Sequence, residues 1–89
     1  MSTAWFETIP VDQLRLSLGI TLPSEAARIT ARLLLEAKQT PEQILEHVVG
    51  GKGERVSPSW ASQFGRELQK LVGFELAGKF VNAALGGLL

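Results

Sequence analysis

Residues 14–22 read LRLSLGITL, an unbroken alternation of apolar and non-apolar positions. Taken alone, a period of two marks a half-buried strand, so the reading of this stretch decides whether the chain is all-helical. A strand needs a partner for its ladder, and no second alternating run of comparable length occurs. The helical reading has signals of its own. Pro10 suits a first helical position, Asp12 falls in the first turn, Val11, Leu14 and Leu18 recur at helical spacing, and Gly19 supplies a left-handed end. We therefore expect a short helix over 10–18, with Ile20 and Leu22 packed beneath the turn that follows. A lone strand is the alternative, and it would be a docking edge for a partner's strand or for a second copy.

Downstream, Pro23 and Ser24 open a stretch, PSEAARITARLLLEAKQ, that places Ala26, Ile29, Leu33 and Ala37 on one face, widened by Ala27 and Leu34. Glu25, Arg28, Arg32 and Glu36 line the opposite face at spacings of three and four. Exposed pairs of that kind contribute only about 0.2–0.5 kcal/mol each, so this face reads as solvated. Thr40-Pro41-Glu42-Gln43 is a capping box that starts a third helix through Ile44, Leu45, Val48 and Val49, over 41–49. Three glycines in GGKGER give a flexible loop over 50–56.

Ser57-Pro58 repeats the start signal, and Trp60, Phe64, Leu68, Leu71 and Val72 form one apolar stripe over 58–72. Continued past Gly73, that stripe would bury Glu75, Lys79 and Asn82. The spacing predicts a helix boundary or kink near Gly73. Beyond it, Phe74, Leu76, Ala77, Phe80, Val81, Ala83, Ala84 and Leu85 cover most of the circumference of the last helix, more than one core contact requires.

Three uses suit so apolar a helix: the hub of the bundle, half of an oligomer interface, or an element that enters lipid. A span needs about twenty apolar residues, whereas here Glu75 and Lys79 interrupt the run. An interfacial lipid helix normally carries several cations on its polar face, and this one carries a single lysine. The small residues Ala77, Gly78, Ala83, Ala84, Gly86 and Gly87 favour close helix pairing within or between chains. The ending Gly86-Gly87-Leu88-Leu89 suits one module of a longer protein.

Size and charge narrow the function classes. Eighty-nine residues make one domain, over 1–89, that buries roughly 60–65% of its unfolded surface, so association would supplement a thin stability margin. Nine basic residues balance nine acidic ones, which removes the field typical of nucleic-acid and anionic-membrane binders. The chain has no cysteine and its start, MSTAWFETIP, lacks a secretory pattern, both of which suit the cytoplasm.

No constellation points to catalysis. His47 is the only histidine, without a second ligand at helical spacing, and no serine stands in a nucleophile motif. GGKGERVS lacks the spacing of a phosphate-binding loop. We expect no enzyme, no cofactor and no metal.

The sequence thus predicts an all-α fold, a small compact bundle of four to five short helices, with Leu14, Leu18, Ile29, Leu33, Ile44, Val48, Trp60, Phe64, Leu68, Leu76 and Phe80 inside. The function expected is a non-catalytic, self-associating protein–protein interaction module. Its contact surface would draw on Trp5, Phe6, Phe74, Phe80, Val81, Leu85 and Leu88, because aromatic side chains make good anchors. The alternative is a helix-turn-helix-like DNA-binding domain with contacts from Ser59, Gln63, Arg66 and Lys70, although its two helices are separated by a longer link than that motif uses. A second alternative is peripheral membrane association through the C-terminal helix.

Overall fold

The computed structural model describes residues 9–14, 16, 22–48 and 56–85, the side chain of Leu85 excepted. Its helices are α1 (Pro23–Leu35), α2 (Pro41–Leu45), α3 (Pro58–Val72) and α4 (Phe74–Leu85), preceded by one 3-10 turn, Val11–Gln13. No strand occurs among the described residues, and the fold is a small all-α bundle.

The helix expected over 10–18 is not formed. After the single turn, Leu14 is extended (φ −69°, ψ 142°), and both Leu14 and Leu16 are buried. Residues two apart share a face in extended chain, whereas on a helix they would point about 200° apart. The shared burial of Leu14 and Leu16 thus fits extended backbone rather than a helix, and no strand ladder occurs among the described residues. Leu18, Gly19 and Ile20 lie outside the described residues, and Leu22 is exposed.

α1 starts at Pro23 as expected and buries Ala26, Ala27, Ile29, Thr30, Ala31, Leu33 and Leu34. It ends at Leu35 rather than continuing through Gln39. Lys38 takes a positive φ of 55°, and the amides of Ala37 and Gln39 reach back to the carbonyls of Arg32 (3.2 Å) and Leu33 (3.1 Å), a widened end that stops the helix.

The capping box forms in full. Thr40 Oγ1 accepts from the Gln43 amide at 3.2 Å, and Gln43 Oε1 accepts from the Thr40 amide at 2.9 Å. α2 is nonetheless shorter than the expected 41–49, because the amides of His47 and Val48 bond three residues back, to Ile44 and Leu45, and tighten the chain into a turn. So short a helix depends on packing, here of buried Ile44.

Ser57 Oγ accepts from the Trp60 amide at 3.1 Å and fixes the start of α3. Val56, assigned from sequence to the flexible loop over 50–56, is buried in the core, an apolar anchor directly ahead of that cap; residues 50–55 lie outside the described residues. Along α3, Phe64 stacks on Trp60 at 5.1 Å between centroids and meets Phe80 of α4 at 5.9 Å in a tilted pair. Truncating Phe64 to alanine would cost about 3–5 kcal/mol by this burial.

The boundary falls where the stripe changes sides. Gly73 has φ 94° and ψ 162°, a conformation that side-chain-bearing L-residues avoid, and it separates α3 from α4. α3 packs most extensively on α1 and then on α4, while α2 rests on α4 and α1. The buried apolar residues form one cluster that includes Leu14, Ile29, Leu33, Ile44, Phe64, Leu68 and Phe80, with Val48, Trp60 and Leu76 half-buried against it.

Candidate interaction surface

α4 answers most of its apolar character internally. Ala77, Phe80, Val81 and Ala84 are buried, at spacings of three, four and seven that face α3 and the rest of the bundle. Phe80 and Val81, expected on the contact surface, are therefore core residues. Phe74 is the exception. It stands three and seven residues before Ala77 and Val81, so it continues their stripe. At the first residue after the break at Gly73 it nevertheless remains 78% exposed.

Phe74 borders an apolar groove of about 260 Å³ between α3 and α4. Ala61 and Gly65 of α3 and Ala77, Gly78 and Val81 of α4 line it, with Ser62, Arg66 and Gln69 along the rim. Small side chains make the groove. A Cβ on Gly65 would sit 3.8 Å from Val81 Cγ2, ordinary contact, and a Cβ on Gly78 would meet nothing within 4 Å. Sequence reasoning found the small residues of α4 but not the Ala61–Gly65 pair opposite them, whose spacing of four was the available signal. Trp5, Phe6 and Leu88 lie outside the described residues, and Leu85 closes α4.

The four residues of the DNA-binding alternative, Ser59, Gln63, Arg66 and Lys70, are all exposed along α3. Gln63 Nε2 donates to Ser59 Oγ at 3.3 Å, and Lys70 lies 3.6 Å from Glu67. A helix-turn-helix would pack α2 on α3, but α2 has its principal contacts with α4 and α1.

Elsewhere, Arg32 departs from the solvated role expected of its face. Its side chain is 19% exposed, its Nη1 donates to the Ile9 carbonyl at 2.7 Å, and its Nε and Nη2 hold both oxygens of Glu36 at 2.8 and 3.0 Å. The hydrogen bonds from Arg32, against an opposing desolvation and with the help of its charge, hold the Glu36 carboxyl below its ordinary pKa. A cavity of about 230 Å³ lies under the N-terminal segment, with Leu14, Leu16, Leu33 and Ile44 lining it alongside Asp12, Gln39 and exposed His47. Among the described residues no cluster of three potential metal ligands occurs, and no helix is long and apolar enough to cross a membrane.

No family model, curated protein or solved structure matches this chain.

Proposed function

We propose that the chain is a non-catalytic protein–protein interaction module, self-associating in its leading form, whose contact surface is the α3/α4 groove with Phe74 at its edge. The observation that carries this reading is Phe74 itself, a phenyl ring left 78% exposed beside an apolar groove rather than turned into the core. Exposed aromatics next to a concave apolar surface are the usual anchors of protein interfaces. The surface has moved from that expected of the sequence: Phe74 remains at its edge and Val81 in its floor, while the buried Phe80 gives way to Gly65, Ala77 and Gly78 as the walls around them.

The DNA-binding alternative retains one supporting observation, the shared exposure of Ser59, Gln63, Arg66 and Lys70. The balanced charge and the packing of α2 away from α3 weigh against it. Peripheral lipid binding through α4 is supported less, since much of that helix's apolar surface is inside the bundle.

Light scattering on the full chain and on Phe74→Glu tests the leading form. The expected result is a concentration-dependent assembly that the variant breaks into folded monomers with an unchanged far-UV spectrum, because the replaced ring is outside the core, and with a thermal midpoint lowered only by the stabilisation that assembly had supplied. A chain that is monomeric at every concentration would remove self-association, and steep loss of DNA binding with rising salt would favour the rival.

A further inference from the structure

We infer that the occupant of the α3/α4 groove is Phe74 of a second copy, each chain placing its ring in the other's groove about a two-fold axis. Such pairing presupposes the interaction role proposed above and names its partner. Ring and groove share one face, since Phe74 itself borders the groove lined by Gly65, Gly78 and Val81. A two-fold pairing of that face makes both contacts at once, which is how a self-complementary patch closes a dimer without leading to open chains. The dimensions suit it: the groove holds about 260 Å³, and a cavity of about 150 Å³ already accepts a benzene ring.

Charge supports the same occupant. Among the described residues Arg66 is the only charged one lining the groove, and Glu75 follows Phe74 directly; both are exposed, and neither has an ion-pair partner among those residues. A ring delivered to the groove by a second copy brings its adjacent carboxylate toward that guanidinium, twice per dimer. Zero net charge leaves no long-range repulsion between copies.

The test is complementation between two full-length variants followed by sedimentation velocity. Phe74→Ala removes the ring and keeps the other walls of the groove, from Ala61, Gly65, Ala77, Gly78 and Val81. Gly78→Leu keeps the ring and fills the groove, at a helical position where a Cβ meets nothing within 4 Å. The native chain should dimerise, each variant alone should associate more than about tenfold more weakly, and their mixture should recover a heterodimer through the one intact ring–groove pair. A native dimer with no recovery in the mixture, or with variants that pair as well as the native chain, overturns the reciprocal pairing and leaves self-association standing by another surface. A native chain that stays monomeric overturns both, and the interaction role then passes to a different protein.

Discussion

Thr30 sits fully buried on α1 with its hydroxyl donating to the Ala26 carbonyl at 2.8 Å, the same carbonyl its own backbone amide faces. Because that hydrogen bond stays within one turn, the hydroxyl holds no other element in place. Thr30→Val, nearly equal in volume, should change stability by less than about 0.5 kcal/mol, whereas Thr30→Ser opens a methyl-sized gap and should cost about 1 kcal/mol. Urea titrations of the two variants check this, and a larger loss for Thr30→Val than for Thr30→Ser would show that the hydroxyl matters more than the packing. Lys38 presents the opposite case, an exposed side chain on a backbone that disfavours it. At φ 55° an L-residue is strained, so Lys38→Gly should raise stability by about 0.5–1 kcal/mol despite removing a charged side chain, read from the thermal midpoint. Thr30 was hidden to sequence reading because a polar residue inside an apolar face reads as an interruption until its partner is seen.

At the scale of the helix pair, Gly73 and Gly78 look alike in sequence and differ in what they do. Neither would gain a clash from a Cβ, but Gly73 has φ 94° and ψ 162° while Gly78 lies inside α4. Alanine at 73 should therefore destabilise by about 1–3 kcal/mol, and alanine at 78 should stabilise by about 0.5–1 kcal/mol. Chemical denaturation of both variants decides it, and matching signs would refute the backbone account. The helix starts were legible because Pro23, Pro41 and Pro58, with Thr40 and Ser57 ahead of two of them, act locally. The break at Gly73 was legible because Glu75, Lys79 and Asn82 would otherwise have been buried. The helix ends were not: α1 and α2 stop early through the left-handed Lys38 and the tightened turn at His47, choices that no side-chain pattern announces.

Across the molecule, the N-terminal segment is held over the core by Arg32, which bridges the Ile9 carbonyl and the Glu36 carboxylate. The folded pKa of Glu36 is depressed, so its contribution is present above the ordinary carboxylate value of about 4.3 and is lost as pH falls through the lowered folded value. Glu36→Gln should accordingly show a shallower loss of stability in acid than the native chain. Parallel denaturation midpoints for the two proteins over the acid range would exclude the pair as a contributor. This long-range tie, between residues 9 and 32, was invisible in the sequence, where Arg32 read only as a member of a charged face. The exposed ring of Phe74 was half legible: its apolar character was plain, but Phe80 and Val81 seemed equal candidates until α3 was seen covering them. The turn that sets Phe74 apart has one further property. At Gly73 the backbone has the handedness natural to a D-amino acid, since the mirror image of φ 94° and ψ 162° is ordinary extended chain for an L-residue. The angle between α3 and α4, and with it the groove, thus hangs on a residue that has no chirality of its own.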